Sequence, residues 1–181
     1  MAGQLLLSSG LPPKYGVVYL EGAPAGSWTP PRERIALSLR GARISPEFFV
    51  VVSGQTVQVP NDDRLIHSLF SLSAARPFDL GHQPAGETRT LTMDKPGVVN
   101  IYCNIHDSMQ ALAVVVPSTF YAVTAESGSF QLSGVPAGRY RIVGYSPQAG
   151  QLSQPVEVRP KERTNSKLQF GQPGREPEKR K

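Results

Sequence analysis

One short segment holds most of the residues capable of chemistry: Val98-Val-Asn-Ile-Tyr-Cys-Asn-Ile-His-Asp-Ser-Met109. A thiol at Cys103, an imidazole at His106 and a thioether at Met109 follow one another at three-residue intervals. Thiolate, imidazole and thioether together make a soft ligand set, better suited to copper than to zinc, magnesium or calcium. A second imidazole is available upstream, at His67, where a loop enters a strand. Two histidines, a cysteine and a weak axial methionine give a trigonal site that tolerates both Cu(I) and Cu(II). The expected cofactor is therefore one copper ion, held by His67, Cys103, His106 and Met109.

Each residue also has an ordinary explanation. A lone buried cysteine or a methionine closing a strand is common packing, and the third histidine, His82, reads as a surface-loop imidazole. The pattern Cys-x-x-His-x-x-Met between two strands, joined to an upstream His, favours the metal. A Cys103–His106 nucleophilic pair is the other chemical alternative. It leaves Met109 unused and has no evident helix N-terminus to activate the thiol. Cys103 is the only cysteine in the chain, so no intramolecular disulfide can form. Nothing resembles a phosphate-binding glycine loop, a Cys-x-x-Cys pair or a haem attachment site, and no catalytic residue is assigned.

The elements that must position these groups read as β. The 181 residues are 39% hydrophobic and include 17 glycines and 17 prolines, which favours short strands joined by turns. Strands are expected at residues 16–22, 35–40, 48–52, 55–59, 67–72, 88–93, 98–103 and 111–116. Within the 98–103 strand, Val99, Ile101 and Cys103 share one face and Asn100 and Tyr102 the other, so the thiol emerges at the end of an inward-facing row. Tyr102, beside it, reads as a packed tyrosine or a second electron route. Further strands are expected at 121–124, 129–132, 139–143, 154–159 and 166–170.

At the ligand segment the chain resembles the cupredoxins, and among them the plastocyanin, amicyanin and pseudoazurin group. Gly54-Gln-Thr-Val-Gln-Val-Pro-Asn61 followed by His67, Phe78-Asp-Leu-Gly81, and Lys95-Pro-Gly-Val-Val-Asn-Ile-Tyr-Cys103 carry the likeness. It implies a Greek-key β-sandwich over residues 42–117 in which Asn61, Ser68 and Asn104 brace the four ligands. Ser68 stands where such proteins usually have Asn, and Ile105 and Asp107 stand where they often have proline. A second stretch, from Val123 through Gly128, Phe130, Leu132, Val135, Pro136 and Gly138 to Tyr140, resembles the carboxypeptidase regulatory-like, transthyretin-like sandwich. The strand that family places before it lies at residues 17–20. The cupredoxin is therefore expected to be inserted into a discontinuous outer domain, residues 5–41 and 118–171.

The resemblance implies a one-electron carrier of the periplasm or cell envelope, working with a redox partner protein. The rival reading is a copper-binding module for storage, delivery or sensing, with a copper-donor or acceptor protein as partner. A third is a structural adhesion module with a vestigial copper loop. Net charge is +5. Residues 42–117 carry five Lys/Arg against seven Asp/Glu, so the excess lies outside them. The tail at 172–181 is short, mixed in sign and without interleaved aromatics, so it reads as a solvated disordered segment and not as a nucleic-acid contact. No apolar run is long enough to span a bilayer, and the first seven residues lack the basic n-region of a secretory signal.

Overall fold

The structure, a computed structural model, describes residues 1–171 apart from Ala25 and Pro30. The tail expected to be disordered, 172–181, lies outside the described residues. Those described are all-β, with seventeen strands and no helix. None therefore offers a helix long and apolar enough to cross a membrane. The chain divides into two compact units: Met1–Ser27 together with the chain from Phe120 onward, and Trp28–Thr119 between them.

The Trp28–Thr119 unit contains the ligand candidates. Its larger sheet is built from β6 (Phe48–Val52), β8 (Leu69–Ser71), β9 (Phe78–Asp79), β11 (Gly97–Cys103) and β12 (Gln110–Val116), in the order β6-β12-β11-β8-β9. The smaller sheet runs β10-β7-β3, from Thr88–Met93, Gln55–Pro60 and Ile35–Ala36. A short hairpin pairs β4 (Ser38–Leu39) with β5 (Ile44–Ser45).

Alternation explains how the two sheets share one core. In β7, Gln55, Val57 and Val59 are buried while the residues between them are half-buried. In β11, Val99, Ile101 and Cys103 are buried, with Asn100 and Tyr102 exposed, as the period of two requires. The inward side chains of both sheets meet in one cluster, including Val57, Val59, Leu91 and Met93 from one and Phe49, Val51, Val99, Ile101 and Ala113 from the other. Cys103 and Met109 belong to the same cluster, so the thiol is the last member of a core row.

This unit begins at Trp28, whereas the sequence reading placed the boundary at 42. Ile35–Ala36 pairs in parallel with Val57–Gln58, and Leu37 and Leu39 enter the same core. Alternation in residues 35–40 identifies a strand but not the sheet it joins. The segment is also interrupted at Leu37, whose N–H donates to the Gln58 carbonyl at 2.8 Å.

The other unit has two sheets. One runs β14-β1-β17, from Ser129–Gln131, Ala2–Leu6 and Asn165–Gln169. The second runs β13-β2-β15-β16, from Tyr121–Val123, Val17–Glu21, Gly138–Ser146 and Gly150–Val158. A side chain at Gly144 of β15 would meet Leu5 of β1 at 2.6 Å and Leu168 of β17 at 3.4 Å. Glycine there lets the two sheets approach over a core of leucines.

Candidate metal centre

The β11 strand ends at Cys103, and the chain returns to β12 through a tight loop. Cys103 N–H donates to the Met109 carbonyl at 3.2 Å, and Met109 N–H donates to the His106 carbonyl at 3.0 Å. These bonds close the six-residue loop and turn His106 toward the sulfur. Met109 is buried at 1% exposure among the core residues and Cys103 at 6%, while His106 is half-buried.

His67 arrives from a separate loop. Its N–H donates to the Gln83 carbonyl at 3.2 Å and its carbonyl accepts from Gln83 N–H at 2.7 Å, an isolated antiparallel bridge just before β8. Register does the rest: Leu69 lies opposite Cys103 in the β8–β11 pair. His67, two residues before Leu69, is thereby carried to the same end of the sheet. Its side chain is fully buried.

The result is a compact donor group. His67, Cys103 and His106 present ligand atoms that all lie within 4.8 Å of one another. The Nδ1 atoms of the two histidines are 3.2 Å apart, and Cys103 Sγ lies 3.8 Å from His106 Nδ1. Metal–nitrogen bonds of about 2.0–2.1 Å at angles near 100–110° would put two nitrogens about 3.1–3.4 Å apart. A metal–sulfur bond of about 2.3 Å at near-trigonal angles puts sulfur about 3.6–3.9 Å from nitrogen. Both observed spacings fall within these ranges, so His106 lies at ion-sharing distance from His67 and from Cys103, and the three side chains gather around one point. Two imidazole nitrogens and a thiolate are also a donor set that copper accepts.

Backbone donors surround the sulfur. The N–H groups of Ser68 and Ile105 each point to Cys103 Sγ at 3.5 Å, within reach for weak hydrogen bonds to sulfur. Of the residues expected to brace the site, Ser68 and Asn104 are joined directly: Asn104 N–H donates to the Ser68 carbonyl at 2.9 Å. Their side chains are 3.5 Å apart, Asn104 Nδ2 to Ser68 Oγ. Asn61 is 1% exposed. It donates to the carbonyls of Leu65 and Gln83 at 2.9 and 2.8 Å and accepts from Asp63 N–H at 3.1 Å, pinning the loop that leads to His67.

Sequence reasoning missed two contributors. Gln83, buried and 16 residues from His67 in the chain, supplies the bridge already described and donates its side-chain amide to the carbonyls of Val59 and Glu87. Asp63 places Oδ2 3.3 Å from His67 Nε2. Its carboxyl is held below the usual carboxylate range, chiefly by the Ala42 N–H; burial opposes this, and the Arg64 N–H and His67 add to the lowering. The spacing Asp63-x-x-x-His67 was the available signal, but outside a helix it predicts no contact.

His82 is exposed and outside the donor group. It lines an open depression with Arg64, Leu65, Ile66, Ile105 and His106. Leu65, Ile66 and Ile105 are 46, 52 and 44% exposed, so the reachable edge of the site is ringed by apolar side chains. Tyr102 lies on the opposite face of β11 from Cys103, exposed and tilted against Phe70 with ring centroids 5.8 Å apart.

No protein-family model matches the chain, and no curated protein matches it in sequence. Solved structures with a partial likeness include a novel purple cupredoxin from Nitrosopumilus maritimus, 20% identical over 45% of this chain and 99% of that one, TM-score 0.41. A Cu(I) amicyanin variant is 14% identical over 55% and 98%, TM-score 0.44. A copper-containing nitrite reductase from Thermus scotoductus is 20% identical over 53% of this chain, TM-score 0.45, and the match spans a quarter of the reductase. Similarity at this distance carries no argument about function. The reading of the site rests on its own geometry.

Proposed function

We propose that the Trp28–Thr119 unit is a type 1 copper domain and that the chain is a one-electron carrier of the periplasm or cell envelope. The observation that carries this is the pair of spacings, 3.2 Å between the histidine Nδ1 atoms and 3.8 Å from Cys103 Sγ to His106 Nδ1, in a pocket closed on the core side. Copper would supply a one-electron couple. Cys103 would hold the ion through a thiolate, His67 and His106 through imidazole nitrogens, and Met109, buried with Cys103 in the core cluster, would be the thioether donor. A site whose donors are gathered by the fold before the ion arrives would change little between oxidation states, which is what rapid transfer needs. His106, half-buried among exposed apolar side chains, is the edge through which electrons pass to a redox partner protein. No turnover chemistry is assigned to the chain.

A copper-handling role, in storage, delivery or sensing, is favoured by one observation: a separate second unit that electron carriage does not require. The resemblance of that unit to transthyretin-like sandwiches suggests a docking body and no catalysis.

The test is a copper titration of the reduced metal-free protein, followed by visible absorption and EPR, with Cys103→Ala as control. One equivalent bound with an intense thiolate band, absent in the variant, supports the type 1 site. Tight Cu(I) binding with no coloured Cu(II) form moves the reading to copper handling. Failure to bind either ion overturns both.

A further inference from the structure

The carboxylate beside His67 is itself built into the fold. Asp63 Oδ2 accepts from Ala42 N–H at 2.8 Å and Oδ1 accepts from Arg64 N–H at 2.8 Å. Asp63 N–H is tied to Asn61 Oδ1. Ala42 stands in the turn between β4 and β5, where Gly41 and Ala42 both have positive φ, 61° and 51°, and Arg40 N–H bonds the Arg43 carbonyl. A two-residue turn of this kind needs the left-handed region at both positions. An alanine there is a strained choice, and the conformation aims its N–H at the Asp63 carboxylate.

We infer that Asp63 is a positioning residue for His67, fixing which ring nitrogen faces Cys103 and His106. An ionised carboxylate can only accept hydrogen bonds. His67 Nε2, 3.3 Å from it, therefore carries a proton, and when the ring holds only one proton Nδ1 is bare. That Nδ1 is the atom 3.2 Å from His106 Nδ1, on the side of the thiol. The pairing orients the ring and makes it a stronger donor, as outer carboxylates do for metal-bound histidines. Placing a negative charge behind the ligand favours Cu(II) over Cu(I). This consequence rests on the copper reading above; the tautomer does not.

The experiment uses the full chain as wild type, Asp63→Asn and Asp63→Ala, with circular dichroism to confirm folding. The near-isosteric Asn variant keeps the test alive if the Ala variant fails to fold. In the metal-free protein, long-range proton–nitrogen NMR should find His67 in the Nε2–H form in wild type, with mixed tautomers in Asp63→Ala. Titration with Cu(II) and Cu(I) should show the Cu(II)/Cu(I) affinity ratio falling about tenfold in Asp63→Ala, a shift of about +59 mV in potential, and less in Asp63→Asn. An unchanged tautomer in Asp63→Ala, or an unchanged affinity ratio in a variant that binds copper, overturns the inference. If wild type binds no copper, the copper reading fails, and the tautomer alone decides whether Asp63 sets the ring.

Discussion

The Ser68 N–H points to the Cys103 sulfur at 3.5 Å, and the residue after that sulfur, Asn104, donates its own N–H back to the Ser68 carbonyl at 2.9 Å. The thiol is thus held in a closed loop of hydrogen bonds between the end of β11 and the residue just before β8. The strand that provides the sulfur and the segment that provides His67 cannot separate without breaking it.

That arrangement separates main chain from side chain. The Asn104 side chain reaches Ser68 Oγ only at 3.5 Å and sits on an exposed residue, so Asn104→Ala should cost less than about 0.5 kcal/mol. Asn104→Pro removes the N–H and leaves the carbonyl of buried Ser68 without its donor, at about 1–3 kcal/mol. Urea unfolding of the two variants checks the order. Equal losses would mean that the side chain, and not the main chain, makes the brace.

Met109 is one of the largest fully buried side chains, so its packing and its proposed ligation must be tested apart. Met109→Leu keeps the volume and should cost less than about 1.5 kcal/mol, whereas Met109→Ala should cost about 2–5 kcal/mol. If the thioether is the axial contact, the Leu variant stays folded and binds copper but shifts the absorption band and raises the potential. A copper spectrum and potential identical to wild type would reduce Met109 to a core residue.

The sequence made some of this legible and concealed the rest for identifiable reasons. Val99, Ile101 and Cys103 alternate with polar Asn100 and Tyr102, so the inward direction of the thiol follows from strand period alone. Donor chemistry likewise singles out His67 by residue type. What holds His67 does not follow. Asp63 carries no signal of its own in the sequence beyond its spacing from His67, and nothing local says that the β4–β5 turn will fix it or that Gln83 will bridge to His67. Both are contacts between distant segments in irregular backbone. The strand Ala2–Leu6 was missed for another reason: its Ala-Gly-Gln-Leu-Leu sequence lacks alternation, and its pairing partners lie more than a hundred residues away.

Outside the Trp28–Thr119 unit, Tyr19 provides a pH-dependent marker. Burial, and secondarily Glu21, pushes its phenol up to about 12, above the usual tyrosine value of about 10. The folded state then keeps a proton that the unfolded chain has lost. This contribution to stability is fully present below pH 10 and is lost as pH rises through about 12. Burial also raises Tyr145, so Tyr19→Phe should flatten part, not all, of the alkaline decline in stability. Chemical denaturation at several alkaline pH values measures this. An unaltered slope in Tyr19→Phe would show that Tyr19 does not contribute to it.

Ile105 lets the proposed electron transfer be tested apart from the holding of the metal. It lies between Cys103 and His106 in the chain, yet its side chain is 44% exposed and lines the depression beside His106 with Leu65 and Ile66. Two copper-loaded molecules meeting through this surface would bring their His106 edges together over Leu65, Ile66 and Ile105, with Arg64 also lining the depression. A lysine at 105 places a charge at that contact on both molecules, which must be desolvated or repelled in the encounter. Ile105→Lys should therefore slow electron self-exchange at least about tenfold, equivalent to about 1.4 kcal/mol in the barrier. The Ile105 N–H to Cys103 Sγ contact survives the change, so the visible spectrum should be retained. NMR line-broadening in mixtures of oxidised and reduced protein measures the rate. An unchanged rate would place the electron edge elsewhere on the surface, with exposed Tyr102 as the next candidate.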